Sequence, residues 1–266
     1  LIQASSSITF GATPILGNRN SMSDVEIWEH LAHDVTIDEL VAQVVSPATF
    51  QRELVALLSR WAPSAHADVI EVGSWFGVTT ALLSPDKFDK TLLDQSPLVL
   101  DKATRFFERL GQPVRTISGD ALRLGGIKDR FDLVFSAGLL EHFARNDRRT
   151  IVAGMLSLAK PGGIVIAAAT NHNATPYRVS YLWRRARRRW QYPRELRIAD
   201  PCDEWSTLPN ACLEDVVDLD HETIYHFLPR TLRTLFRRLD SVMHWEGYLK
   251  AVVLRRNTNN IGTDVQ

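Results

Sequence analysis

Cysteine is scarce, and the two present, Cys202 and Cys212, are too few for a disulfide framework. Two reduced thiols are expected, as in a cytoplasmic protein. No apolar run approaches the roughly 18 residues needed to span a bilayer, so no integral membrane contact is expected. Net charge is missing as well. The 31 Lys and Arg balance 31 Asp and Glu, leaving no global field to draw in nucleic acid, and no nucleic-acid partner is expected. Residues 1–21 lack the basic start and continuous apolar stretch of a secretory signal. They are rich in Ser, Gly and Asn and precede the first methionine, Met22. They are expected to be flexible, outside the fold and foreign to the native product. A tail over residues 257–266 is expected to be flexible too.

What is present suits a soluble domain with a real core: 45% hydrophobic and 23% charged residues in a 266-residue chain. Helical patterning starts after Ser23-Asp24 with Val25, Ile27, Trp28 and Leu31, and returns over Thr49 to Trp61, where Pro63 and Ser64 close it. Residues 22–64 are thus an N-terminal helical segment. An alternation follows: strands at 68–72, 91–94, 114–117, 131–136 and 164–169, separated by helical stretches such as Pro97 to Leu110. Such repeats specify a doubly wound α/β parallel sheet, here over residues 65–170. Residues 171–222 show little strand character and read as a helical or irregular insertion after strand five, shaping a substrate cap. Residues 223–256 then supply a helix from Pro229 and two strands, Val242 to Trp245 and Ala251 to Leu254, joined at Gly247 as an edge hairpin.

Parallel sheets bind ligands beyond the carboxyl ends of their strands, where the strand order reverses. The first strand ends in Glu71-Val72-Gly73-Ser74-Trp75-Phe76-Gly77, with two glycines that let the backbone turn and approach a ligand closely. Asp94 ends the second strand, where a carboxylate can accept from both hydroxyls of a ribose. Asp120 follows the third, placed for an exocyclic adenine amine. Three polar positions, each ending its own strand, are stronger evidence than one glycine loop.

The segments EVGSWFGVTT, LLDQSPLVLDKA, SGDAL, FDLVFSAGLLEHF and LAKPGGIVIAA resemble, in order and spacing, successive motifs of the class I S-adenosylmethionine-dependent methyltransferases. YHFLPRTLRTLFRRL resembles the family's late strand–helix segment more loosely. The resemblance implies a seven-stranded Rossmann-like sheet whose last strand is antiparallel, and S-adenosylmethionine as cofactor. Glu71, Gly73, Ser74, Trp75 and Gly77 would hold the methionine moiety, Asp94 the ribose, and Asp120-Ala121 the adenine edge. Ser136 and Ala137 would offer backbone carbonyls to the amino group. The chain departs from the family where Trp75 replaces a loop glycine and where Gln95 replaces an apolar residue beside the adenine. A dinucleotide dehydrogenase would instead favour G-x-G-x-x-G and require a second nucleotide subsite.

The expected acceptor is a small molecule methylated on oxygen or nitrogen. Methyl transfer needs alignment and dryness, and a base only if the acceptor must lose a proton. Imidazoles suit that task near neutral pH. His142 follows strand four and His172 follows strand five, so both are candidate catalytic bases, with Tyr177 behind them; packing roles compete with catalysis for each. Within the insertion, residues 178–197 hold eight arginines and residues 200–222 eight acids, and mutual pairing is the favoured reading. Val179, Leu182, Trp183, Ala186 and Trp190 share the helical face expected to dock. Two other readings stay open: a non-catalytic S-adenosylmethionine-binding regulator, and an enzyme that meets RNA or a lipid-linked substrate through the arginine helix. Asp218, Asp220, His221, Glu222 and His226 match no metal-ligand spacing, and no metal is expected.

Overall fold

The computed structural model describes residues 24–63, 66–190 and 192–258. The expectations for residues 1–21, for the cap residue Ser23, for Ser64 and for the tail beyond residue 258 lie outside them. Three helices lead into the sheet: α1 (Asp24–Asp34), α2 (Ile37–Val45) and α3 (Thr49–Trp61). A reciprocal cap starts α2, in which Glu39 N–H donates to Thr36 Oγ1 and Thr36 N–H to Glu39 Oε2. Then β1 (Ala67–Val72), α4 (Val78–Ala81), β2 (Phe88–Asp94), α5 (Pro97–Arg109), β3 (Arg115–Ser118), β4 (Phe131–Ala137), α6 (Arg145–Leu158) and β5 (Ala159–Thr170) follow, alternating as the periodicity predicts except between β3 and β4, where residues 121–126 form only a short 3-10 turn. Pro97 and the Ser96 side chain start α5, the one by its preset φ, the other by accepting the Val99 N–H.

The seven-stranded sheet has the order β3-β2-β1-β4-β5-β7-β6, with β6 (Ala211–Leu219) and β7 (Leu249–Arg256) completing it. The strands β3, β2, β1, β4 and β5 are parallel, and β7 is antiparallel to both neighbours. Successive strand residues face opposite sides. Ile70, Val72 and Val134 therefore pack with Ile151, Val152 and Met155 of α6, while Val69, Leu133 and Phe135 pack with Leu54, Leu57 and Leu58 of α3. Chain order runs outward from β1 to β3 and then returns to β4. The switch point lies between β1 and β4, and the site is expected there.

Beyond residue 170 the structure corrects the sequence reading. Residues 171–222 are not wholly an insertion, because 211–219 is the edge strand β6. Its exposed positions include Glu214 and Asp218, and Asp215 faces α3, so acids on both sides hid the strand from an apolar count. Its pairing comes from β7, some forty residues later. Val242 to Trp245 is not a strand: α10 (Arg230–Met243) runs through it and ends at His244, φ 48°. The β7 strand is thus internal, not half of an edge hairpin. The YHFL start of the segment that resembled a late strand–helix unit is no strand: Tyr225 and His226 lie in the short helix α9 (Thr223–His226). Asp220 accepts the Thr223 and Glu222 N–H groups there and also the N–H of Phe50, tying α9 to α3.

The arginine helix α7 (Thr175–Ala186) buries Tyr177, Ser180 and Tyr181, not Leu182, which is exposed, or Ala186. Nor do its arginines pair with the acidic stretch. Those acids meet bases of other elements: Asp203 and Glu204 pair with Arg145, Glu204 with Arg148, Glu214 with Arg255, Asp215 with Arg60, Asp218 with Lys250 and Glu222 with Arg237. In α8 (Pro201–Ser206), Glu204 is buried and bonds both Nε and Nη2 of buried Arg148, at 2.8 and 2.9 Å. No helix among the described residues is long and apolar enough to cross a membrane.

Candidate active site

A cavity of about 530 Å³ opens beyond the carboxyl ends of β1 to β4. Its wall includes Gly73 and Trp75 after β1, Asp94 and Gln95 at β2, Asp120 and Ala121 after β3, and Ala137 and His142 after β4. Eight of the thirteen residues formed by the eleven cofactor-binding candidates and the two histidines thus meet in one space, because each ends or follows a neighbouring strand.

Asp94 organises the loop opposite it. Its Oδ2 accepts the Trp75 N–H and its Oδ1 the Ser96 N–H, both at 3.0 Å. Burial pushes its carboxyl above the ordinary aspartate range, although the N–H donors of Ser96, Trp75 and Gln95 act against that. Asp120 accepts the Leu122 N–H and so caps the short turn behind it while facing the cavity. Trp75 stands at φ 51°, in the left-handed region where the family's glycine is at ease, and its ring forms cavity wall against Trp28 and Phe76.

Five predicted residues do not line the cavity. Ser74 and Ser136 are buried beneath it. Gly77 instead sets the entry of α4: it has φ +70°, and an added Cβ would lie 2.7 Å from Leu92 Cδ1. Gly77→Ala is therefore expected to cost about 2–3 kcal/mol, from left-handed strain plus overpacking, as a lower urea midpoint at unchanged slope.

Glu71 is buried on β1 and accepts a hydrogen bond from Thr80 Oγ1 at 2.5 Å. Burial pushes its carboxyl up to about 8, against the pull of that bond. Between its ordinary range and pH 8 the folded protein keeps a proton that the unfolded chain releases, so stability falls as pH rises. Glu71→Gln retains an acceptor for Thr80 and removes the titration. Its stability curve from pH 5 to 8 should be flatter than that of the wild type, by on the order of 1 kcal/mol per pH unit. Parallel curves would show that Glu71 stays ionised.

His172 is also not brought to the cavity. It is 2% exposed, packed against Tyr177 and Tyr181, with Nε2 2.9 Å from Glu195 Oε2, off the line of a straight N–H···O bond. The same carboxylate oxygen accepts from Tyr177 Oη at 2.7 Å. This buried cluster fastens β5, α7 and the segment around Glu195, and it absorbs Tyr177 as well. Strand order placed His172 at the right end of the sheet, but its partners turned it inward. His142 stays at the cavity, with Nδ1 3.3 Å from the Arg194 carbonyl oxygen.

Sequence reasoning missed the roof. Trp28 and Leu31 of α1 line the cavity, as does Tyr192, and Trp28 touches Trp75, His142 and Tyr192 at ring separations of 5.1, 5.4 and 6.0 Å. Leu139 and Phe143 add apolar wall from beyond β4. The apolar face of α1 was visible as a pattern; what it covers was not. The Glu29 carboxylate accepting from Ser96 Oγ, and Lys102 reaching the Ala32 and Val35 carbonyls, hold α1 over the site.

Residues 69–163 match the family model described as a methyltransferase domain. This segment is a methyltransferase domain. Three solved structures illustrate the likeness of the methyltransferase fold. The N-methyltransferase NodS from Bradyrhizobium japonicum WM9, in complex with S-adenosyl-L-homocysteine, aligns with TM-score 0.54 at 16% identity, over 83% of this chain and 97% of that one. An S-adenosylmethionine-dependent methyltransferase from Clostridium acetobutylicum ATCC 824 aligns at 0.55 and 13%, over 86% and 99%. The [4+2]-cyclase SpnF aligns at 0.58 and 12%, over 89% and 97%. At such identities the likeness is one of fold. No curated protein sequence matches the chain.

Proposed function

We propose that this methyltransferase transfers the methyl group of S-adenosylmethionine to an oxygen or nitrogen of a small-molecule acceptor. The observation that carries the reading is the convergence of Gly73, Asp94 and Asp120, from three strand ends, on one cavity. The donor set fits the cofactor. Each Asp94 oxygen accepts one loop N–H and keeps a lone pair for a ribose hydroxyl. Asp120 and Ala121 stand one strand further along, for the adenine edge. The Gly73 turn brings the β1 backbone against Leu139, for the methionine end. A volume of about 530 Å³ falls within the range of small-molecule sites, roughly 300–1,000 Å³.

S-adenosylmethionine supplies an electrophilic methyl group on a sulfonium, so the protein's work is alignment, exclusion of water and, for a protic acceptor, removal of a proton. Trp28, Trp75 and Tyr192 build an apolar wall that keeps water out. His142 is the candidate base. A carbonyl oxygen can only accept, so the contact with Arg194 places the imidazole proton on Nδ1 and leaves the Nε2 lone pair to take one from the acceptor. His172, paired with Glu195 in the interior, positions that segment.

Calorimetric titration with S-adenosylmethionine, followed by labelled methyl transfer to a panel of hydroxyl and amine acceptors, tests the reading. Absence of cofactor binding would overturn it. SpnF, a cyclase on the same fold, supports a second reading: cofactor binding without methyl transfer. Tight binding with no S-adenosylhomocysteine released across the panel would favour that one.

A further inference from the structure

Among the described helices α10 has the sharpest separation of apolar and charged residues, yet none of its fourteen residues is buried. At 100° per residue, Val242, Leu235, Leu239, Leu232, Met243 and Phe236 fall within one arc of about 120°. Only part of that arc is covered: Leu232 and Phe236 pack against the cluster of Ile224, Tyr225 and Leu228. Leu235, Leu239, Val242 and Met243 are 50%, 42%, 74% and 54% exposed. Scattered exposed leucines mean little, but a continuous helical stripe marks an interaction surface.

The surroundings of the stripe are basic. Arg230, Arg233, Arg237 and Arg238 occupy the rest of α10; Arg237 is paired with Glu222, and the single acid of the helix, Asp240, accepts the Trp245 N–H. Helix α7 joins the same apolar cluster through Tyr177 and Val179. Among the described residues, Arg184, Arg185, Arg187, Arg188 and Arg189 pair with no carboxylate. Arg184, Arg185 and Arg187 instead lie over the rings of Phe227, Tyr181 and Trp183. The acids that would have neutralised them are engaged elsewhere, as described above. A chain of zero net charge thus gathers unneutralised positive charge in the layer that leaves an apolar stripe open.

We propose that the layer of α7, α9 and α10 docks on an anionic lipid bilayer, with the apolar stripe of α10 entering the headgroup boundary and the arginines meeting lipid phosphates. An amphipathic helix with a basic polar face binds such surfaces by buried apolar area plus charge. A second copy of the chain fits worse, because a two-fold contact would set the arginines of α10 against themselves. Nucleic acid would satisfy the arginines but leave the leucines in water.

Co-sedimentation of the full chain with vesicles of phosphatidylcholine, with and without phosphatidylglycerol, tests this. The protein is expected to pellet with the anionic vesicles and to be released by added salt. The triple variant Leu235→Ser, Leu239→Ser, Val242→Ser should partition at least about tenfold more weakly, from lost apolar insertion. Its thermal melting and S-adenosylmethionine affinity should be unchanged, since each side chain is exposed and remote from the cavity lining. The proposal fails if the wild type stays in the supernatant. It fails too if the triple variant pellets equally, which would mark a charge-only surface. A wild-type dimer that the triple variant dissociates, seen by light scattering, would assign the stripe to a second copy and likewise overturn it.

Discussion

Replacing Asp94 with alanine is expected to weaken S-adenosylmethionine binding by two to three orders of magnitude. Two hydrogen bonds from ribose hydroxyls to a carboxylate contribute about 1.5–2 kcal/mol each, and the product of two such losses is of that size. The structure adds a second reason. The same carboxylate holds the Trp75 and Ser96 N–H groups, so its removal also loosens the β1 loop that faces the cofactor. Those freed donors lie at the cavity wall, where water can reach them, so the fold should survive with a melting temperature only a few degrees lower. Asparagine is a poorer test, because its amide nitrogen would point at one of the two loop donors. Because burial raises the Asp94 carboxyl above its usual range, wild-type affinity should fall as the solution is acidified, when the protonated group loses acceptor capacity. Calorimetric titration of both proteins reads all of this. Unchanged affinity in the variant would sink the site assignment.

His142→Ala is expected to lower kcat on a hydroxyl or protonated-amine acceptor by about 10²- to 10⁴-fold, the usual contribution of a positioned base. Cofactor affinity should change much less, since His142 meets the cavity beside the Trp28 ring and not at Asp94 or Asp120. His142→Gln keeps a polar side chain of similar reach without a basic nitrogen and should behave alike. If kcat stays and only affinity falls, His142 is a packing residue. The contrast is His172→Ala, expected to act on stability by leaving Glu195 and the hydroxyl of Tyr177 in the interior without their imidazole neighbour, at a cost of roughly 2–4 kcal/mol. Single-turnover kinetics beside thermal melting separates the two histidines.

Legibility varied along the chain for identifiable reasons. The strands from β1 to β5 and the helices between them were readable because side-chain period, Pro97 and the glycine turns are local signals. Asp94 and Asp120 were readable because a residue ending a parallel strand has little choice of where to face. The β6 strand was not, since it carries acids on both sides and its partner lies far along the chain. The charge blocks misled in a different way. Equal counts of arginine and acid suggested mutual pairing, but the acids were closer in space to Arg60, Arg145, Arg148, Arg237, Lys250 and Arg255. Counting charges says nothing about which surfaces face each other.

The amino-acid sequence by itself thus determined the alternating sheet and the carboxylates at its strand ends, because backbone conformation, periodicity and strand direction follow from neighbouring residues. Only the tertiary structure decided that α1 and Tyr192 roof the cavity, that His142 faces it while His172 turns inward to Glu195, and that β6 closes the sheet. Each of those depends on contacts between distant segments, where packing and burial, not local propensity, choose the partner.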